Sequence, residues 1–267
     1  MTICIAAIAE KDKIIAIADK MLTIPNADGS ATSYEVTDIN KVFELNEKTL
    51  AMFSGNSVHA TQILALAKDK ITANVPTTVL EAAEKVKEAY KEYWNSLVSN
   101  ALDIKYGIDF KTFMNNQNAF GAELIKHVND FATTFALDIQ VLIAGIGADD
   151  KPRIYYLDNG GSVIDSTSFG YASIGSGQQH ANLSLIESEY SASYDKNKSL
   201  YCLIEAKKRA EYDPGVGKYC DIALINGKFI MYDTAKVNKL NRTFEKSRTA
   251  VRGVKRKYYT EIKKVVG

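Results

Sequence analysis

Residues 2–19, TICIAAIAEKDKIIAIAD, decide the fold. Ile3 to Ala9 and Ile14 to Ala18 are short apolar runs rich in β-branched isoleucine, separated by the polar turn Glu10-Lys11-Asp12-Lys13. This pattern predicts a hairpin of two strands buried on both faces. Asp19 closes the second run. A carboxylate at the end of Ile-Ala-Ile-Ala is costly to bury alone, so its position predicts a cationic partner.

Outward from this hairpin, a polar loop is expected, with Pro25, Asn26, Asp28, Gly29 and Ser30 as its turn chemistry. A second strand pair, Val42 to Leu45 and Thr49 to Phe53, ends at Ser54-Gly55. Two helices should follow. The first runs from about Ser57 to Ile71, and the second starts at Thr77-Thr78, where Glu81 completes a capping pattern. From about Trp94 to Leu137 the pattern stays helical but breaks near Gly107 and Asn115-Asn116, which predicts an inserted helical element. Strands return at Gln140 to Ala144, Arg153 to Leu157, Ser162 to Ile164 and Ser168 to Ile174. Helices are expected at about Gln178 to Tyr190 and Leu200 to Tyr212. A last hairpin, Cys220 to Ile225 and Lys228 to Tyr232, turns on Asn226-Gly227. Runs of strands alternating with pairs of helices imply stacked layers, not βαβ units.

The bulk properties exclude several classes. Hydrophobic residues at 46% and charged residues at 24% support a sizeable core. No apolar run approaches the roughly 18 residues of a membrane helix. The amino end, Met-Thr-Ile-Cys-Ile, has no basic segment before its apolar stretch and does not read as a signal peptide, so a soluble cytoplasmic protein is expected. Cys4, Cys202 and Cys220 lack metal-like spacing, and an odd number argues against a disulfide framework. His59, His127 and His180 form no metal constellation. Gly175-Ser176-Gly177 lacks the remaining glycine and lysine of a phosphate loop. Between Lys236 and Lys264 eleven Lys/Arg face two Glu, a surplus of +9, so the rest of a chain of net charge +1 carries −8. In that tail Val237, Leu240, Phe244, Val251, Val254, Tyr258, Ile262 and Val265 recur at helical spacing, which describes a long basic amphipathic helix. The expected organisation is a domain over residues 1–235 and a helix over 236–267. The helix is expected to dock on a neighbouring subunit; nucleic acid and membrane are the less favoured partners.

Four segments in order resemble the proteasome β-subunit and HslV superfamily of N-terminal-nucleophile hydrolases, over most of the chain from Thr2 to about Tyr232. They are the opening Thr-Ile-Cys-Ile-Ala-Ala with Ile-Ile-Ala-Ile-Ala-Asp-Lys; Lys41 to Leu45 through Met52-Phe53-Ser54-Gly55; Ser173 to Gly177; and Asp213-Pro214-Gly215-Val216-Gly217 leading into Cys220 to Ala223. The resemblance implies an α+β fold, a four-layer αββα sandwich of two antiparallel sheets. Two departures stand out. The turn before Asp19 is one residue longer than usual, and Val216 occupies the place where active β-subunits commonly have a serine.

The resemblance also implies the chemistry. Thr2, freed by removal of Met1, would be the nucleophile, and its own α-amine, with an ordinary pKa of about 7.7–8.0, would accept the hydroxyl proton. Lys41 would sit beside the hydroxyl and Asp19 would hold it charged. Gly55 would offer its N–H to an oxyanion, and Ser176 and Asp213 would complete the network around the amine. A specificity pocket would be lined by Leu22, Ile39, Phe43, Phe53, Ser57 and Thr61, with Thr23 aligning the substrate backbone. No cofactor or metal is implied. The implied protein is a threonine endopeptidase subunit of a self-compartmentalised homo-oligomeric ring acting on peptides or unfolded chains, with an ATPase regulator as a further partner. A catalytically silent scaffold or gate subunit, and an amidase on small amides, are the alternatives.

Overall fold

The computed structural model describes residues 2–25, 31–36 and 39–266; the side chains of residues 23–25, 31, 33, 259, 260 and 262–266 lie outside that description. The opening hairpin forms as the sequence predicts, with β1 (Cys4–Ala9) paired antiparallel to β2 (Lys13–Asp19) in the register Cys4↔Ala18 to Ala9↔Lys13. Glu10 and Lys11 take positive φ at the turn, and their N–H groups donate to the carbonyls of Tyr194 and Ala192 at 2.9 and 3.0 Å. These bonds hold a conformation that side-chain-bearing residues otherwise avoid.

Region 21–35 differs from the expected loop. β3 (Met21–Pro25) and β4 (Ala31–Glu35) pair as an antiparallel hairpin of their own, while residues 26–30, where the expected turn chemistry lies, are outside the described residues. Pro25, Asn26, Asp28, Gly29 and Ser30 signal a loop by composition. Thr23, Thr32, Ser33 and Tyr34 around them nevertheless suit a strand with little core beneath it.

The other strands are β5 (Val42–Asn46), β6 (Thr49–Gly55), β7 (Ile139–Ile146), β8 (Pro152–Leu157), β9 (Val163–Asp165), β10 (Tyr171–Ile174), β11 (Cys220–Asn226) and β12 (Lys228–Met231). One antiparallel sheet has the order β10-β1-β2-β11-β12 and the other β5-β6-β7-β8-β9. The helices are α1 (Ser57–Ala73), α2 (Val79–Tyr106), α3 (Phe110–Asn115), α4 (Ala122–Thr134), α5 (Gln178–Glu187), α6 (Lys196–Ala210) and α7 (Thr234–Val266).

Strand periodicity explains the layers. Ile3, Ile5, Ala7 and Ala9 pack with Leu185, Leu203 and Ala206 of α5 and α6. The alternate residues Cys4, Ala6 and Ile8 meet Leu50, Met52 and Leu142 of the second sheet. That sheet turns Ala51, Phe53, Val141 and Ile143 toward Ile63, Leu64 and Val86 of α1 and α2. The result is an αββα sandwich whose central strands are apolar on both faces, hence their uninterrupted runs.

Two boundaries moved. The strand expected over 168–174 is shortened to β10, because Thr167–Phe169 form a 3-10 turn closed by Gly170 at positive φ. There Asp165 Oδ1 accepts from Thr167 N (2.8 Å) and Thr167 Oγ1 accepts from Ile154 N, so side chains replace the ladder partners. Helix α6 begins ahead of the apolar run, capped by Asp195, whose Oδ1 accepts from Asn197 N and Lys198 N.

The segment 94–137 continues α2 to a left-handed cap at Gly107 and folds α3 and α4 onto it around Val98, Leu102, Phe113 and Val128. Along α7, Val237, Leu240 and Phe244 seat on the α5/α6 side of the sandwich, whereas Val251, Val254 and Tyr258 are exposed. The side chains of Ile262 and Val265 lie outside the described residues.

Candidate active site

Sheet pairing brings distant segments to one end of the sandwich. The register Cys4↔Ile174 carries Thr2 past the end of β10 onto Gly175 and Ser176, and Cys220↔Asp19 sets Asp19 against the turn that precedes β11. Gly175 has a φ of +102°, and a Cβ there would lie 2.3 Å from the Thr2 carbonyl oxygen. Only glycine permits this approach. Thr2 is pinned from the same turn: its carbonyl accepts from Gly177 N at 3.2 Å, and its N–H donates to Ser176 Oγ at 3.4 Å.

Lys41, immediately before β5, is 2% exposed, and Asp19 is fully buried. Lys41 Nζ donates to Asp19 Oδ1 at 2.8 Å and to Thr2 Oγ1. Among the described residues the Asp19 carboxylate accepts four hydrogen bonds. Oδ1 also accepts from Ile3 N at 3.1 Å, while Oδ2 accepts from Met21 N at 3.1 Å and from Gly217 N at 2.8 Å. Such a carboxylate is satisfied as an anion and can hold a buried ammonium beside it. The ammonium in turn faces the oxygen on which charge would grow if the hydroxyl attacked an acyl group.

Asp213 acts through its turn. Its Oδ1 accepts from Gly215 N at 2.7 Å and its carbonyl from Val216 N at 3.0 Å, which shapes the chain so that Gly217 N reaches Asp19. Val216 is buried, and its Cγ2 would lie 2.8 Å from a Cβ placed on Gly177. A methyl therefore packs where the resemblance expects a hydroxyl.

Thr2, Gly55 and Ser176 line one cavity of about 310 Å³, with Ser54, Asp138, Ile139, Gln140, Asn159 and Gly175 as its other walls. Gly55, at φ +95°, lies so close to Asp138 that a Cβ would be 1.8 Å from that residue's carbonyl oxygen. Asp138 itself holds φ 51°, and its carbonyl accepts from Asn56 N at 3.0 Å.

The residues expected to form the specificity pocket do not line this cavity. Leu22 is buried and Ile39 half-buried. The rings of Phe43 and Phe53 lie 5.9 Å apart at a tilt of 48°, with Phe53 in the core beneath α1. Ser57 and Thr61 lie in the first turns of α1, where Thr61 Oγ1 donates to the Ser57 carbonyl at 2.9 Å. Thr23 lies in β3, and its side chain is outside the described residues.

Sequence reasoning missed Asp138, Gln140 and Asn159. Asn159 Oδ1 accepts from Ile139 N at 3.2 Å, and Gln140 Oε1 from Ser54 Oγ at 3.3 Å and Gly175 N at 3.4 Å. The available signal was a polar residue, Gln140, next to the uninterrupted apolar run of β7.

Among the described residues no group of His, Cys, Asp and Glu could hold a metal ion, and no helix is long and apolar enough to cross a membrane. The model of the proteasome subunit family matches residues 129–224. The matched stretch runs from within α4 to within β11, and includes Ser176 and Asp213. Thr2, Asp19 and Lys41 lie outside it and meet it through β1–β10 and β2–β11 pairing. Comparison with curated proteins finds no match to the chain.

Proposed function

We propose that the chain is a threonine-type endopeptidase subunit of a self-compartmentalised homo-oligomer, with Thr2 as nucleophile once Met1 has been removed. One observation carries the reading: the buried Lys41 ammonium bridges Asp19 and the Thr2 hydroxyl at the wall of a cavity. In this reading Thr2 Oγ attacks the substrate carbonyl and its proton passes to the freed α-amine. Gly55 N–H faces the developing oxyanion. Collapse breaks the C–N bond, the leaving amine takes the proton, and water then hydrolyses the ester on Thr2 by the reverse roles. Asp19 and Lys41 do not exchange protons in this scheme; they supply fixed charge.

The buried Val216 methyl favours one rival, a catalytically silent subunit of a ring that serves as scaffold or gate. Intact mass and hydrolysis of quenched fluorescent peptides separate the two. The peptidase reading expects loss of Met1 and a fall of about 10⁴-fold or more in turnover for Thr2→Ala. Retained Met1 in an inactive chain of normal native mass would favour the scaffold.

A further inference from the structure

Gln140 lines the Thr2 cavity and also a second cavity of about 390 Å³, between β8, the edge strand β10 and α5. The orientation of its carboxamide follows from its partners. Gly175 N can only donate, so it faces Oε1 at 3.4 Å, and Ser54 Oγ donates to the same oxygen at 3.3 Å. Among the described residues the Nε2 amide group has no acceptor, and it lies at the wall shared by the two cavities. The second cavity has walls of two kinds. Tyr156, Phe169 and Ile186 are apolar or aromatic, Phe169 being 72% exposed. Ser173, Gln178 and Asn182 are polar but neutral, and Ser173 Oγ donates to Asn182 Oδ1 at 2.7 Å. No charged side chain is among the described residues that line it. A charged substrate group placed there would lose water without gaining a counter-charge.

We propose that the two cavities form one substrate trough. The substrate backbone crosses Gln140, which donates Nε2–H to one of its carbonyls. The second cavity then receives an uncharged side chain, aliphatic or carboxamide, from a residue on one side of the scissile bond. This deepens the reading of Thr2 as nucleophile and rests on it. Gln140 is thereby a substrate-binding residue, and Asn182 and Phe169 set specificity.

The test is a panel of quenched nonapeptides that carry Leu, Gln, Asp or Lys at each position around the cleaved bond, assayed on the full chain. At one position, Asp and Lys should each lower kcat/KM by about tenfold or more relative to Leu. Asn182→Asp keeps the size of the side chain and the bond from Ser173, and should restore Lys, but not Asp, at that same position. Gln140→Ala should raise KM more than it lowers kcat, with a melting temperature somewhat below that of the parent because Ser54 Oγ and Gly175 N lose their acceptor. The same peptides, fluorescein-labelled, are also titrated onto the Thr2→Ala chain, where binding does not depend on turnover. Discrimination there without hydrolysis by the parent would uphold the trough while removing the nucleophile. Charge tolerated at every position, a preference that Asn182→Asp leaves unchanged, or a KM that Gln140→Ala leaves unchanged, would overturn the trough even if Thr2 is essential.

Discussion

Among the described residues two lysines are buried, Lys41 at the candidate site and Lys207 away from it. Lys41 and Lys207 are 2% and 0% exposed, and each ammonium is satisfied by oxygens. Lys207, in the last turn of α6, donates to the Lys218 carbonyl at 2.6 Å and to Glu211, one helical turn on. It ties the end of α6 to the segment leading into β11. Lys41 shares its charge between a carboxylate with four contacts and the hydroxyl of Thr2. Burial and pairing are therefore common to a structural clamp and a candidate catalytic cation. What separates them is a partner that can react and a cavity in front of it.

The largest expected effect concerns the anion behind Lys41. Asp19→Ala would orphan the N–H groups of Ile3, Met21 and Gly217 and strand a buried ammonium. At about 1–3 kcal/mol for each unsatisfied group, and more for the charge, the loss should be comparable to the whole stability of a typical single domain. Circular dichroism should find the variant unfolded or aggregated, whereas Glu211→Ala should fold.

Next in size is activity. If Thr2 is the nucleophile, Lys41→Met should lower turnover by about 10³-fold or more, while Lys207→Met should stay within about twofold per folded molecule. Urea unfolding should show Lys207→Met destabilised by about 1–3 kcal/mol through the orphaned Lys218 carbonyl. Equal loss of turnover in both lysine variants would dissolve the distinction between clamp and catalyst.

Gly175→Ala sharpens it further. The added Cβ, 2.3 Å from the Thr2 carbonyl oxygen, meets Thr2 first, and Thr2 must move. Turnover should fall about 10²-fold with most of the stability retained, since a shift of about 1 Å at a nucleophile is enough for that. Parent-like activity would mean that the position of Thr2 relative to Lys41 is not what matters.

How much of this was legible in the sequence follows from the range of the interactions. The opening hairpin, the β5–β6 pair, the capping of α2 by Thr78 and Glu81 and the expectation of stacked layers rest on local periodicity and turn chemistry, whereas the αββα arrangement of those layers was implied by the resemblance. Asp19 announced a partner because it ends an apolar strand. Lys207 gave no such sign, since a lysine near the end of a charged helix reads as solvated until the segment leading into β11 brings the Lys218 carbonyl to it. Gln140 and Asn159 were opaque for the same reason: their partners are Ser54, Gly175 and Ile139, set by sheet pairing across long stretches of chain. The β3–β4 pairing was hidden because Pro25 and the polar residues that follow it signal a loop by composition, and the strands on either side are short.

The smallest effect compares the cysteines beside the two lysines. Cys4 lies near Lys41, and its Sγ donates to the Phe53 carbonyl at 3.2 Å; Cys220 lies near Lys207. Burial pushes both thiols well above their ordinary range, outweighing the downward pull of each ammonium. In the unfolded chain a thiol ionises near pH 8.5. Above that pH the unfolded state holds fewer protons than the folded one, so these thiols contribute stability that is full below about 8.5 and is lost as pH rises toward the folded values. The slope is about 1.4 kcal/mol per pH unit for each thiol that stays protonated when folded. Urea unfolding at pH 7.5 and 9.5 should therefore show a shallower alkaline loss in Cys4→Ala than in the parent, even though the variant starts lower for want of the Phe53 contact. Cys220→Ala should behave likewise. If Cys4→Ala kept the parental slope while Cys220→Ala flattened it, Cys4 would be giving up its proton in the folded chain. The space around Lys41 would then be far more polar than that around Lys207, and the two lysines would differ in solvation as well as in partners.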